Sequence, residues 1–321
     1  MLIPRCVVLV FSLAGTLLGA GSACGQSYPY KALRIVTSGV GGGSDFVARQ
    51  IAQGISGPLG QPVIVENRGG GGIGTGEIVA QASPDGYTLI VGSNSLWIAP
   101  LLQKLPFDGV RDFAPITTTT EAPLVLVVNP SLPVASVKEL IALAKAKPGA
   151  LNYASGNTGA SNHLAGEMFK SLAGINIVRI PYKGGGAAMN DVIGGQVQMT
   201  FLAGSVVGPQ IKSGKLKGLA VTSVQPSALA PGLPTMAASG VPGYEMVGID
   251  GILAPAKTPA PVIRRLNQEM RRFLETPEAK ERFFSIGVEA VGSTPQEFAN
   301  KIKSDMARMG KLIKDAGIST K

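Results

Sequence analysis

Short apolar runs alternate along the chain with segments whose apolar positions recur about every three to four residues. The runs predict strands at 33–37, 62–66, 87–92, 124–128, 151–154, 177–180, 196–202, 216–222 and 252–254. The periodic segments predict helices at 44–56, 75–82, 136–147, 161–173, 187–193, 259–274 and 295–316. Ser136 with Glu139, and Thr294 with Glu297, have capping-box spacing, and Pro295 takes a first helical position. Strand–helix alternation of this kind predicts an α/β fold with largely parallel sheets.

The first 25 residues depart from the pattern. One basic residue, Arg5, precedes an uncharged run over 6–18, and small residues follow up to Gly25. That is the order of a secretory signal. The run is shorter than the ~20 residues that span a bilayer. Residues 1–25 therefore read as a signal peptide, and the remainder as a protein outside the cytoplasm. Ala23 and Gly25 fit cleavage before Gln26. Cleavage after Ala23 would instead expose Cys24 for lipid attachment, but Gly21 stands where a lipobox carries Leu, so simple cleavage is favoured over a lipid anchor.

Composition narrows the chemistry. The chain is 45% hydrophobic and 15% charged, a globular balance. Both cysteines, Cys6 and Cys24, lie in or beside the signal, so the mature domain has no disulfide. The net charge of +9 comes from dispersed basic residues that alternate with acids, as in EMRRFLETPEAKERF. That pattern marks solvated helix faces and not a nucleic-acid surface. The single histidine, His163, leaves no Cys/His metal site, and no G-x-S-x-G elbow supplies a serine for a triad. The run Gly69-Gly70-Gly71-Gly72-Ile73-Gly74 satisfies G-x-G-x-x-G. The next strand ends LIVGSNS, without the acid that a dinucleotide site needs. No cofactor and no metal are expected.

One pattern occurs twice: RIVTSGVGGGSDFVARQIA from Arg34 and LNYASGNTGASNHLAGEMF from Leu151. Each reads as a strand, a Ser-Gly turn, small residues and a helix start. Small residues let the backbone approach a ligand, and the amides of a first helical turn favour an anion. Two such turns about half a chain apart predict a carboxylate clamped between two lobes, with the segments 38–45 and 155–161 facing each other and no arginine at either.

The segments GGGSDFVARQIA, VIVENR, SPDGYTLIVGS, LPFDGVRDFAPI, YASGNTGASNHLAGEMF, IPYKGGGAAMNDVIGGQV, IKSGKLKGLAVTS and GLPTMAASGVPGYE, with LAPAKTP, run in order over nearly the whole mature chain. Together they resemble the substrate-binding proteins of tripartite tricarboxylate transporters, the Bug or TctC family. The resemblance implies a periplasmic, monomeric, two-lobe Venus-flytrap fold with two crossovers, near Leu124 and Gly251. The lobes would be 26–124 with 251–321, and 125–250. It also implies a non-catalytic protein that captures a small carboxylate and delivers it to membrane permease subunits. The chain departs from the family at Gly39, Val40, Ala187 and Leu202, which leaves the carboxylate's identity open. Leu202 and the absence of an arginine make an apolar distal pocket as plausible as a polar one. A secreted α/β hydrolase and a sensor feeding a signalling partner are the alternative readings.

The candidate ligand-binding residues follow from the turns and the resemblance. Gly41, Gly42, Gly43 and Ser44 supply amides, and Asp45 caps its helix and touches water. Ser93 ends a strand where open α/β sheets place ligands. Ser155, Thr158, Gly159 and Ser161 form the second turn. Tyr182 and Lys183 follow the strand over 177–180. Lys183 is taken as the one basic side chain near a cleft loop, on the ligand's distal group or facing solvent. His163 is read as a packed helix residue.

Overall fold

The computed structural model describes residues 28–68, 71–156, 159–182 and 185–318. The signal segment, Thr158 and Lys183 lie outside these residues. The strands are β1 (Leu33–Thr37), β2 (Val63–Asn67), β3 (Thr88–Ser93), β4 (Phe113–Val128), β5 (Asn152–Ser155), β6 (Val178–Pro181), β7 (Met199–Ala203), β8 (Lys217–Val221), β9 (Val247–Pro255) and β10 (Glu289–Ala290). The helices are α1 (Gly43–Leu59), α2 (Gly71–Ala80), α3 (Asn94–Leu102), α4 (Val137–Ala146), α5 (Ser161–Ala173), α6 (Gly185–Ile193), α7 (Gly204–Lys212), α8 (Ala260–Leu274), α9 (Pro277–Ser285) and α10 (Pro295–Asp315).

The strand order is β2-β1-β3-β9-β4-β7-β5-β6, with β8 and β10 also on β4. β4 belongs to both halves. Its residues 113–123 pair with β9, and residues 124–128 pair with β7. A second connection lies at the start of β9: the Met246 amide donates to Thr222 O at 2.9 Å in one half, and Val247 pairs with Pro123 in the other. Gly251 lies in mid-strand, opposite Gly92 and Thr118. The result is a two-lobed α/β fold in which each lobe contains a parallel βαβ unit, β1–α1–β2 and β5–α5–β6.

The expectation of largely parallel sheets needs correction. β1–β2, β1–β3, β5–β6 and β5–β7 are parallel, but every pair made by β4 or β9 is antiparallel. The two strands that tie the lobes together run against their neighbours, so the sheet is mixed.

Local sequence explains the elements that flank the site. β1 is buried at four of its five positions, as a strand covered on both faces should be. α1 buries Val47, Ala48, Ile51, Ala52, Ile55 and Leu59, a stripe of helical period. Gly54 on that stripe admits the ring of Phe273; a Cβ there would lie 2.2 Å from Phe273 Cδ2. The Thr294–Glu297 capping box forms at α10. At α4, Ser136 Oγ accepts the Glu139 amide at 3.2 Å, but the Glu139 carboxylate accepts from Ala135, one residue before the box position. One hydrophobic cluster includes Trp97, Phe298 and Leu312 together with Leu164, Met168, Phe201 and Tyr244, so it is continuous across both lobes.

Candidate functional site

The two Ser-Gly turns fold to the same plan. In the first, Gly41 has φ +79°, a left-handed conformation that suits glycine, and its amide donates to Asp45 Oδ2 at 2.9 Å. In the second, Gly159 has φ +83°, and its amide donates to His163 Nδ1 at 3.0 Å. Gly42 and Ala160 are the N-caps, and neither makes a side-chain cap. In both turns, therefore, the third helical residue takes the amide of the residue before the cap. The first intrahelical bonds run from Phe46 to Gly42 O and from Leu164 to Ala160 O, both at 3.0 Å. The amides of residues 43–45 and 161–163 precede them and point out of the helix ends, where the helix dipoles favour an anion.

Polar side chains brace each turn. Asp45 is buried and also accepts Asn67 Nδ2 at 2.8 Å and Arg49 Nε at 3.1 Å. Burial raises its pKa, but the bonds from Arg49, Gly41 and Asn67 outweigh that and hold it below the usual carboxylate value. Asn67 reaches Ser38 O at 2.9 Å, which ties the end of β2 to the turn after β1. On the second turn, Asn162 Oδ1 accepts the Gly156 amide at 2.9 Å. Arg179 donates to Ser155 Oγ and to Gly156 O, both at 2.8 Å. Burial first, then the charge of Arg179, lowers the His163 pKa to about 4. The ring is thus neutral at pH 7, and acceptance at Nδ1 puts its proton on Nε2.

A cavity of about 340 Å³ opens between the lobes. Its walls include Ser93 and Asn94 at the start of α3, Asp250 of β9, and Gly159 and Ser161 at the start of α5. The β9 wall is fixed by Asn94, whose Oδ1 accepts the Ile249 amide at 2.5 Å and whose Nδ2 donates to Asp305 at 2.8 Å. Asp250 accepts from Thr120 Oγ1 at 3.3 Å. Burial pushes its pKa up to about 6, opposed by the hydroxyls of Thr120 and Ser44.

The structure thus brings Ser93, Gly159 and Ser161 to the cavity. Ser44 reaches its edge through Asp250. Gly41, Gly42 and Gly43 are exposed on the neighbouring turn, and Asp45 is turned inward to hold it. Ser155 is fully buried and anchors Arg179. The Tyr182 hydroxyl is committed to Asp191 Oδ2 at 2.6 Å, in a separate cluster with β7 and β8. Sequence reasoning missed Arg179: the expectation that Lys183 is the one basic group at a cleft loop fails, as does that of turns without arginine, because Arg49 and Arg179 bond to them. It also missed Asp250, although one acid inside the apolar strand VGIDGILAP was the available signal. The hydroxyl of Ser155 and Nδ1 of His163 are both spent on bracing, which leaves no nucleophile–base pair between them.

The sequence family described as "Tripartite tricarboxylate transporter family receptor" matches residues 47–318. The protein BugT of Bordetella pertussis is 34% identical over 308 residues, which cover 94% of each chain. The solved structure of R. palustris Rpa4515 with adipate is 33% identical, with a TM-score of 0.71 over 91% of this chain and 99% of that one. MatC (Rpa3494) from Rhodopseudomonas palustris with bound malate is 27% identical, with a TM-score of 0.67 over 89% and 100% of the two chains. The chain belongs to the tripartite tricarboxylate transporter receptor family, the TctC or Bug proteins, and is a solute-binding receptor, not an enzyme.

Proposed function

We propose that this receptor captures a small carboxylate between its lobes, with the helix ends of α1 and α5 as the two jaws and the start of α3 on the floor. The observation that carries the reading is the twin turn: Gly41 onto Asp45, and Gly159 onto His163, at equivalent helical positions. Each turn sets outward amides in a geometry held before the ligand arrives, so that little ordering entropy is spent on binding. Charge-assisted bonds from preorganised amides need no ligand-facing arginine. Arg49 and Arg179 act one layer back, where they hold the turns. Thr158 and Lys183, with Gly41 to Ser44, belong to this proposed contact set.

The hinge crosses Leu124 on the outward path. On the return we put it at Val247, since Met246 still bonds to Thr222 and Val247 pairs with Pro123. One lobe is then residues 26–123 with 247–321, and the other 124–246. The protein is exported, cleaved after Gly25, works as a monomer, and hands its ligand to permease subunits at the membrane. Adipate and malate, seen in two relatives, are the first ligands to test. A thermal-shift screen of carboxylates decides: a true ligand at 100 times its Kd adds ~2.7 kcal/mol to stability. A flat response to every mono-, di- and tricarboxylate would sink the reading.

A further inference from the structure

A cavity built to hold an anion has, among its described lining residues, a single ionisable side chain, and that side chain is itself an acid. Asp250 sits on β9, in the lobe opposite α5, so the cavity runs from the outward amides at Ser161 on one wall to a carboxylate on the other. No lysine, arginine or histidine is among the described lining residues. The groups that face Asp250 come from three elements: Ser93 across the ladder from β3, Thr120 from β4 and Ser44 from α1. All are hydroxyls, and among the described residues no ionised neighbour shifts the Asp250 pKa, which burial raises. A ligand whose second end carried another carboxylate would meet like charge there, and no cation among the described lining residues offsets it. A ligand ending in an ammonium would meet an acceptor whose partners among the described residues are hydroxyls.

We propose that Asp250 is a specificity-determining residue that selects zwitterions, with the ligand carboxylate at the α5 end and a protonated amine at the β9 end. The inference rests on carboxylate capture as described above and adds the second functional group. It turns the one unfavourable charge of the cavity into a selector, since a buried acid penalises the wrong ligand more than it helps the right one.

Three length-matched pairs test it by titration calorimetry at pH 7.5: succinate with β-alanine, glutarate with 4-aminobutanoate, and adipate with 5-aminopentanoate. In each pair an ammonium replaces the second carboxylate. The expected result is at least a tenfold tighter Kd for the amine of the best-fitting pair. Asp250→Asn should remove that preference while leaving the diacid bound as well or better. Asp250→Ser, which also deletes the charge, gives the same comparison independently of how well the Asn variant folds. Diacid preference that is equal in wild type and variants would overturn the inference and leave carboxylate capture standing. Protonation of Asp250 removes the like charge, so diacid affinity should rise at pH 5 in wild type alone; a wild-type pH dependence that matches the variants' would also overturn the inference. Failure of all six compounds to bind any of the proteins would overturn the inference, and the carboxylate screen then decides the reading beneath it.

Discussion

Asp250 should make the empty receptor less stable as the pH rises, and Asp250→Asn should relieve it. Burial lifts its pKa from an ordinary 3.8 to about 6. In that interval the folded state holds a proton that the unfolded state has released, so stability falls with pH from about 4 and levels off above about 6. Two units correspond to about 3 kcal/mol at most. The side chain is half-buried and borders a cavity that admits water, so we expect ~1–2 kcal/mol of this to survive. For a chain of this size that is ~2–4 °C in Tm. An asparagine has the same shape, and its amide and carbonyl can both bond the hydroxyls of Thr120 and Ser44. The assay is differential scanning fluorimetry of ligand-free wild type and variant between pH 4.5 and 8. The variant should melt higher at pH 7.5, and the gap should close toward pH 4.5. A variant that melts at or below wild type at pH 8, or a gap that does not depend on pH, would refute a desolvated Asp250.

Gly42→Val should fold, since its φ of −80° suits valine and, among the described residues, a Cβ there meets only Gly39 O, at 3.4 Å. It should weaken carboxylate binding at least tenfold by calorimetry, and Lys183→Ala should cost ~1 kcal/mol or less; the reverse order would mean recognition by a salt bridge. Asp45→Ala leaves the Gly41 amide without its acceptor and takes one of two partners from each of Asn67 and Arg49, so chemical denaturation should show a loss of about 2 kcal/mol. Tyr182→Phe removes a bond to Asp191 outside the cavity and should leave ligand affinity within twofold while lowering Tm slightly.

Most elements around the site were legible because their sequence carries a period. α5 begins and ends where its apolar spacing says, and α1 differs only at its ends. The first part of β4 was not legible: ITTTTEAP reads as a polar loop. Thr117 to Thr120 are nonetheless buried in the sheet. Thr117 Oγ1 donates to Ser293 O at 2.9 Å, and Ser293 Oγ donates to Thr118 Oγ1 at 3.1 Å. Partners far along the chain satisfy the hydroxyls of Thr117, Thr118 and Thr120, and no local rule reveals such partners. α3 escaped for the opposite reason. NSLWIAPLL is apolar on all sides and contains Pro100, so it shows no helical period, yet it packs as a core helix. The site followed the same division. The twin turns were visible as a repeat, whereas Asp250 and Arg179 reach the cavity and the second turn through strand pairing alone.

β4 has a consequence for how the molecule comes apart. Sixteen residues of one strand are shared by both lobes, paired with β9 and β10 in one and with β7 and β8 in the other, and a single apolar cluster runs beneath them. Neither lobe can melt without stripping hydrogen bonds and apolar cover from the other. Heat should therefore dissolve the receptor in one cooperative step in which the calorimetric and van't Hoff enthalpies agree, not lobe by lobe. Ligand bound anywhere in the cleft then reports on the whole chain, and a shift in one melting temperature measures affinity directly.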